Sequence, residues 1–384
     1  MINRLLTSFR SYIDSWSVPM PSIVEALNQG YQSGMESGDI EHAFLCLAAS
    51  KVYQYTAGQS LESTLEETDH TMGLMNQYKV VSVAAMFQYQ IRALSDLTGK
   101  TEDPLDWASE ETTPPPKRLK DFSVICQLVW RYLCRLQVAY YLGEFDLAYR
   151  VGEYFGVVEE ADKSHCTVSH GLFFRVLAAT AMYRKRRKRI YRTKALKRLR
   201  QMRVRMENTS INNLHRFYIM EADVNATFGI GKRDRREMFD NAISTSTKAG
   251  FLQDAALANE LAGEYFLSKG DDFWAKHYLT CSYSLYLTWE ASAKTKQLLM
   301  RYPRHVDADS ALKDVHRNRK SRKEVTMSAI AMHQTIDTGR KSSLASDHGS
   351  SLLHASEVMS LESASRLSIT SSPKKASTRS YSSR

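Results

Sequence analysis

Residues Phe251 to Pro303 form the most informative stretch of this chain and read FLQDAALANELAGEYFLSKGDDFWAKHYLTCSYSLYLTWEASAKTKQLLMRYP. In the first half, apolar side chains recur at helical spacing, at Phe251, Ala255, Ala258, Ala262 and Phe266. In the second half, one side of a second helix is predicted to carry Trp274, Tyr278, Cys281 and Leu285. Gly270 lies between them and suits the left-handed conformation that ends a helix. The stretch predicts an antiparallel helical hairpin, which needs neighbours to bury its apolar faces.

A turn pattern of Gly, then an acid, then Ala five positions after the Gly occurs three times, at Gly38–Ala43, Gly143–Ala148 and Gly270–Ala275. In each copy we expect the Gly to end one helix, the acid to cap the next and the Ala to let two backbones approach closely. The three copies are unevenly spaced, and no regular repeat of roughly 34 residues is present. The sequence therefore predicts an all-α fold, an irregular tetratricopeptide-like αα-solenoid, whose stacked hairpins leave a concave groove for a partner.

The composition divides the chain into three parts. Helical patterns extend over residues 1–303, which we assign to one helical-repeat domain, interrupted by a Pro-rich loop near residues 101–120. Residues 304–326 form a basic linker that is expected to be partly helical. Residues 327–384 are predicted to be disordered, because sixteen of the last 45 residues are Ser and few side chains there could form a core.

Two ends of the repeat region carry a family likeness. The N-terminal segments GYQSGMESGDIEHAF and YTAGQSLE, and the C-terminal residues Trp289, Ala291, Ala293, Lys294, Tyr302 and Pro303, resemble the tetratricopeptide-like connector of multi-sensor signalling kinases. In that family the connector lies between an AAA-type ATPase domain, often preceded by a serine/threonine kinase domain, and a GAF sensor followed by a histidine kinase. The resemblance covers about residues 1–303 and implies a signalling role. The catalytic residues of that family have no counterparts in this sequence.

The charge of the chain is concentrated in one window. The formal net charge is +10, and thirteen Lys and Arg with no acid lie between Arg184 and Arg205. The candidate patch for an anionic partner comprises Arg184, Lys185, Arg186, Arg187, Lys188, Arg189 and Arg192. Read as one helix, the window has an apolar face at Ile190, Ala195, Leu196, Leu199, Met202 and Met206. Two interpretations stay open: a surface for an acidic protein, anionic lipid or nucleic acid, or a solvated helix whose cationic stems cover its own apolar flank.

Nothing in the sequence predicts an enzyme, a cofactor or a metal site. The segment FGIGKRDRR, residues 228–236, lacks the first Gly of a phosphate-binding loop and has Arg233 where a Ser or Thr would hold Mg²⁺, so a turn is predicted there. His165, Cys166 and His170 lie close together, but no second cluster supplies further ligands for zinc. We therefore predict a non-catalytic protein.

The C-terminal tail contains candidate phosphorylation sites at Ser342, Ser368 and Ser372. A phosphate adds a charge of about −1.5 to −2, so a phosphorylated tail is expected to fold back on the basic window and mask it. Neither a signal-peptide core nor a transmembrane run of roughly 20 apolar residues is found in the sequence, which predicts a cytoplasmic protein. The basic runs 114–120 and 184–205 resemble nuclear-import signals, so nuclear entry is the alternative.

These features together predict a protein–protein interaction or regulatory scaffold in signal transduction, with other signalling proteins as partners and no small-molecule substrate. One alternative is an adaptor that binds a membrane or a nucleic acid through residues 184–205. Another is that the chain is a fragment of a larger ATPase and kinase signalling protein.

Overall fold

The structure is a computed structural model, and it describes residues 13–107, 115, 122–160, 167–207 and 211–317. All of these residues belong to the first of two compact units, Met1–Lys320; the second unit, Ser321–Arg384, lies outside the described residues. The predicted disordered tail, its three candidate phosphorylation sites and most of the Pro-rich loop therefore also lie outside them.

The described residues are all-α, as the sequence predicts. After a short 3₁₀ turn at Asp14–Trp16, the helices are α1 (Met20–Ser37), α2 (Ile40–Thr56), α3 (Leu61–Gln77), α4 (Val81–Thr98), α5 (Phe122–Tyr141), α6 (Phe145–Glu159), α7 (Thr167–Arg186), α8 (Arg189–Met206), α9 (Leu214–Phe228), α10 (Arg235–Lys248), α11 (Leu252–Ser268), α12 (Asp272–Trp289) and α13 (Ser292–Arg301). Residues 308–317 are also helical, and Ala311 and Val315 in this segment are buried.

Consecutive helices pair into hairpins, α1 with α2 through to α11 with α12. The hairpins stack through α5, α7, α9 and α11, each of which contacts the next helix of this series. Helix α13 packs against α4, where Ala293 lies beside Gly99. This arrangement confirms the predicted αα-solenoid, and it also brings an early hairpin into contact with the end of the array.

The Gly-acid-Ala turns are confirmed in their Gly and Ala positions. Gly38, Gly143 and Gly270 all have φ between 74° and 85°, the left-handed conformation that costs Gly little. Ala43, Ala148 and Ala275 are fully buried in the hairpin interfaces.

The acids of these turns behave differently from one another. Asp271 accepts a hydrogen bond from the backbone N–H of Trp274 at 3.1 Å and caps α12 as expected. Asp39 instead bonds the ring of His42 at 2.7 Å, and Glu144 makes no side-chain cap. The prediction of a side-chain cap was therefore wrong at Asp39 and Glu144, although a negative charge at the start of a helix remains favourable.

Two helices lie in the centre of the unit and are covered on nearly all sides. Fifteen of the twenty residues of α7 are buried, and so is every residue of α11 from Gln253 to Gly263. A helix that is enclosed in this way has to partner its polar side chains internally. Among the described residues, α7 and α11 therefore do not line an open groove. In an extended array, the inner helices would be expected to line a concave surface.

The N-terminal hairpins are fixed to the later helices by hydrogen bonds to the backbone. The amide of Asn212 donates to the carbonyl oxygens of Ser15 and Val18, at 2.9 and 2.7 Å, and its oxygen accepts from the N–H of Met20. The carbonyl oxygen of Thr56, at the end of α2, accepts from Arg216 and from Gln253. These contacts join residues that are more than 150 positions apart in sequence. They explain why the N-terminal hairpins pack against the later part of the array.

The buried face of α12 differs by about one residue from the prediction. Of the predicted stripe only Tyr278 is buried, whereas Trp274, Cys281 and Leu285 are half-buried. The residues that are buried instead are Ala275, Leu279, Ser282, Tyr283, Tyr286 and Trp289. Because α12 packs on α11 and near α13, its contact surface is wider than a single row of apolar residues predicts.

We expect Gly34→Ala to destabilise the protein by about 1–3 kcal/mol, the range typical of overpacking. A Cβ at position 34 would lie 2.7 Å from Cβ and 2.9 Å from Cα of Ala43, so α1 and α2 would have to separate. Thermal or urea unfolding of the full chain measures the change. The matched control is Gly73→Ala on the exposed side of α3, where an added Cβ would meet no atom within 4 Å apart from the neighbouring backbone of its own helix. That variant should gain about 0.5–1 kcal/mol from helix propensity. Equal effects of the two variants would contradict the packing argument.

Candidate functional site

The basic window forms two helices, not the one helix expected from the sequence. Arg184, Lys185 and Arg186 lie in the last turn of α7, and α8 begins at Arg189. Arg187 lies between them with φ of 54°, the left-handed conformation that ends a helix. The predicted apolar face of α8 is confirmed at Ala195, Leu199 and Met202, which are buried, but it is wrong at Ile190, which is 51% exposed.

Arg184 is half-buried and is held by side chains of two other helices. Its guanidinium donates to Oδ1 of Asp223 at 2.6 Å and to Oγ1 of Thr227 at 2.8 Å, and it lies 3.6 Å from Glu264. Burial disfavours its charge, but the two carboxylates outweigh burial and raise the pKa of Arg184 above its ordinary value. Arg184 is therefore a structural cation that joins α7, α9 and α11.

Four further cations of the window pair with carboxylates of α6. Lys185 and Arg186 both donate to Asp146, and the exposure of this cluster limits its contribution to stability. Lys194 and Arg198 both donate to Glu153, at 2.6 and 2.5 Å. Burial alone would raise the pKa of Glu153, but Arg198 and Lys194 hold it below its ordinary value. The pairs at Glu153 fix α8 against α6, and those at Asp146 join the end of α7 to α6.

The remaining members of the candidate patch face solvent. We call Arg187, Lys188, Arg189 and Arg192 the basic corner; all four are exposed, and none has an ion-pair partner within the part of the chain that the structure describes. The guanidinium groups of Arg187 and Arg192 lie over the rings of Tyr183 and Phe228, each 5.7 Å from the ring centroid. These contacts position the two arginines without neutralising them.

A cleft of about 330 Å³ opens beside the basic corner, between α8, α9 and the start of α10. We call it the α8–α10 cleft. Its lining is Leu196, Leu199, Arg200, Arg203, Glu221, Asn225, Ile230, Gly231, Lys232, Arg233, Arg235 and Met238. The sequence analysis did not find this site, because its cations come from two segments about 30 residues apart. The run of Lys and Arg at 232–236 was the available signal.

The loop that forms one wall of the cleft is the segment FGIGKRDRR, and it is a turn between α9 and α10 as predicted. Gly229 and Gly231 have φ of 64° and 82°. Arg235 fixes the loop, since its guanidinium donates to the carbonyl oxygens of Ile230 and Gly231 at 2.8 and 3.1 Å. Asp234 caps α10 by accepting from the N–H of Glu237 at 3.0 Å.

One carboxylate lies within the cleft. Glu221 on α9 accepts from Arg203 at 2.8 Å and from Arg233 at 3.4 Å, and thereby joins α8 to the loop. Arg200 and Lys232 are exposed, and they have no ion-pair partner among the described residues. The cleft therefore combines five cationic side chains with a single acid and an apolar floor of Leu196, Leu199 and Met238.

The candidate metal ligands do not form a described cluster. His165 and Cys166 lie outside the described residues, and His170 is buried against Gln137, whose amide lies 2.8 Å from its Nε2. Within the described ranges, His, Cys, Asp and Glu do not come together in groups of three that could hold a metal ion.

The residues of the C-terminal family likeness have structural contacts. Lys294 is 2% exposed and donates to Glu260 at 2.7 Å, and the hydroxyl of Tyr286 also donates to Glu260. Tyr302 donates to Glu264 at 2.8 Å, and Trp289 is buried against Tyr141 with ring centroids 5.4 Å apart. The residues that carry the family resemblance at this end are therefore ones whose side chains pack α11, α12 and α13 together.

No protein-family model matches the chain, and no curated protein sequence matches it either. Within the described ranges, none of the helices has both the length and the hydropathy that a bilayer crossing requires.

Acidification is expected to destabilise the protein through His170. Burial lowers the pKa of His170 well below its ordinary value, so the folded state keeps it neutral while the unfolded chain takes up a proton below about pH 6.5. The unfolded state then binds more protons, and the free energy of unfolding falls as the pH drops from 7 to 5, by at most about 1.4 kcal/mol per pH unit for this residue. Urea unfolding across this range measures the slope. His170→Gln should reduce the slope and leave the part that comes from His215, whose pKa burial also lowers. A slope equal to that of the wild type would contradict the assignment to His170.

Proposed function

We propose that this chain is a non-catalytic scaffold that binds a signalling protein through the basic corner. The observation that carries the proposal is the exposure of Arg187, Lys188, Arg189 and Arg192 on a rigid hairpin, while the cations before and after them are paired with Asp146 and Glu153. Charged groups that are fixed in place but not neutralised attract an oppositely charged surface and orient it. An acidic protein surface is the partner that this arrangement fits best.

A membrane is a less suitable partner for this surface. A helix that lies on a bilayer buries an apolar face among the lipids. The apolar face of α8 is already used inside the protein, where Ala195, Leu199 and Met202 are buried, and Ile190 is the exposed apolar residue closest to the corner. A protein surface requires no such face.

Nucleic acid is also less suitable. Single strands are bound by aromatic rings on which the bases stack. The two tyrosines of the basic window are engaged elsewhere: Tyr183 packs edge-on against Phe228, and Tyr191 packs edge-on against Tyr149, each with ring centroids 4.9 Å apart. The corner can supply charge to a nucleic acid but not stacking.

The motif residues at the two ends of the repeat region resemble the connector of signalling kinases. On that basis we propose that the scaffold is related to this connector and acts in signalling. Lys294, Trp289 and Tyr302 have packing roles here, so the likeness supports a shared architecture. The same surface would suit a free-standing scaffold or a connector between kinase modules. We propose the cytoplasm as its compartment, where such partners act.

We expect Lys188→Glu/Arg189→Glu in the full chain to weaken binding to an acidic polypeptide about tenfold or more at low salt, because a rim charge acts on association and is screened by ions. Fluorescence anisotropy with labelled poly-L-glutamate measures the affinity. A glutamate at the first position of α8 is compatible with the helix dipole, so the variant should fold.

The matched control is Lys100→Glu/Lys248→Glu, which reverses two exposed charges at the ends of α4 and α10. Equal losses in both double variants would mean that only net charge matters, and the proposed surface would be wrong. Parallel measurements with phosphatidylserine vesicles and with a single-stranded oligonucleotide test the alternatives. If either probe binds more tightly than poly-L-glutamate and depends on the same two residues, the acidic protein is excluded as the preferred partner.

A further inference from the structure

We propose that the α8–α10 cleft is a binding site for a phosphorylated serine or threonine side chain of a partner protein. The inference rests on the proposed function only in that the partner is a protein, since the cleft and the basic corner are different surfaces. The proposal is argued from three features of the cleft: the five cations that line it, the single carboxylate among them and the apolar floor.

The cations of the cleft retain donors for a ligand. A guanidinium has five N–H donors. Arg203 and Arg233 each direct one of them to Glu221, at 2.8 and 3.4 Å. Arg200 and Lys232 are exposed and make no ion pair or hydrogen bond with another described residue through their side chains. An anion that enters the cleft would thus meet four cationic groups from two facing walls.

The type of cation favours phosphate over a carboxylate. Arg235 is occupied by backbone carbonyl oxygens, and three of the other four cationic side chains are arginines, whose planar fork binds two oxygens of a phosphate at once. The carboxylate of Glu221 already occupies the space between Arg203 and Arg233 and still leaves the cleft with an excess of positive charge. A second carboxylate would neutralise one unit of that excess, whereas a phosphate monoester brings about −1.5 to −2 at neutral pH.

The shape of the cleft favours a peptide over a membrane or a duplex. Its volume of about 330 Å³ is at the small end of ligand sites and is enclosed by α8 on one side and the loop of Gly231 on the other. Leu196, Leu199 and Met238 form an apolar floor that can hold a neighbouring side chain of the ligand. Clusters of arginine beside apolar subsites are a recurring way to read a phosphorylated motif.

The partner is expected to act in trans. The Ser-rich tail of this chain also contains candidate phosphorylation sites, but residues 327–384 hold seven Lys and Arg against four Asp and Glu. Ser342 follows Arg340 and Lys341, and Ser372 precedes Lys374 and Lys375. A phosphate at these sites would lie next to cations of the tail itself, which weakens its attraction to another basic site.

The test uses the full chain and two labelled peptide libraries, one with a fixed central phosphoserine and degenerate flanks, the other with serine in its place. Fluorescence anisotropy should show binding of the phosphorylated library at least tenfold tighter than that of the serine library. Inorganic phosphate should compete, and chloride at the same ionic strength should not. Arg200→Glu/Lys232→Glu should weaken the phosphopeptide at least tenfold, while the control Lys100→Glu/Lys248→Glu should retain it.

A third variant tests the site in the opposite direction. Glu221→Gln removes the one acid of the cleft and frees Arg203 and Arg233, so phosphopeptide binding should tighten about two- to fivefold. Equal affinity for both libraries, unchanged binding in Arg200→Glu/Lys232→Glu, or no gain in Glu221→Gln would overturn the inference. Binding of phosphatidylserine vesicles that depends on Arg200 and Lys232, without phosphopeptide binding, would replace it with a membrane site.

The two proposals fail in different ways. Lys188→Glu/Arg189→Glu should reduce poly-L-glutamate binding and leave binding of the phosphopeptide library within twofold of wild type. If the phosphopeptide results contradict the expectation and the poly-L-glutamate results agree with it, the cleft site is excluded and the basic corner is retained. If only the poly-L-glutamate results contradict the expectation, the basic corner is excluded and the cleft site is retained. A synthetic peptide of residues 337–347, phosphorylated at Ser342, tests whether the chain's own tail occupies the cleft. If this peptide binds more tightly than the library, the occupant is the tail and a partner in trans is excluded.

Discussion

The guanidinium of Arg216 is the interaction on which the assembly of the hairpins depends. It is 1% exposed, and it donates to Asp254 on α11 at 2.9 Å and to the carbonyl oxygen of Thr56 on α2. It also lies over the rings of Phe173 and Phe251, 6.0 and 5.3 Å from their centroids. One side chain on α9 thus joins α2, α7 and α11. A buried charge persists only where partners compensate for its lost hydration, and Arg216 has them only when the four helices are assembled.

A second buried network does the same for the end of the array. Glu260 and Glu264 lie one turn apart on α11. Glu260 accepts a hydrogen bond from Lys294, whereas Glu264 accepts one from Tyr302 and forms an ion pair with Arg301. Glu264 also lies near Arg184, so this network connects the last turn of α7 with α13. Both carboxylates lie inside the protein, and each has a cationic and a hydroxyl partner. Buried charges with such partners are typical of contacts that fix the position of one helix relative to another. These titratable groups are engaged in packing, so the proposals for binding rest on exposed side chains instead.

The sequence predicted those features of the fold that depend on neighbouring residues, and it missed those that depend on distant ones. Gly38, Gly143 and Gly270 end helices because a left-handed residue is needed there, and this requirement is visible within a few positions. The buried face of α12 was misplaced because α13 and α11 share it, which no local period reveals. The site was half predicted: the basic corner is contiguous in sequence, whereas Arg200 and Lys232 come together only because Gly229 ends α9 and turns the chain back towards α8.

Helix α8 contributes residues to both the basic corner and the cleft. Its cations Lys194, Arg198 and Arg203 are paired with Glu153 and Glu221, whereas Arg189 and Arg192 in the corner, Arg200 in the cleft and Lys197 between them are exposed and make no ion pair with a described residue. Eleven residues of α-helix separate Arg189 from Arg200 by roughly 16 Å, about twice the Debye length at physiological salt. An extended peptide of about five residues spans the same distance, so a partner with an acidic segment about five residues from a phosphorylated side chain could occupy both at once. Because α8 contributes residues to both surfaces, the second contact would form at high effective concentration, and two weak contacts would give one selective complex.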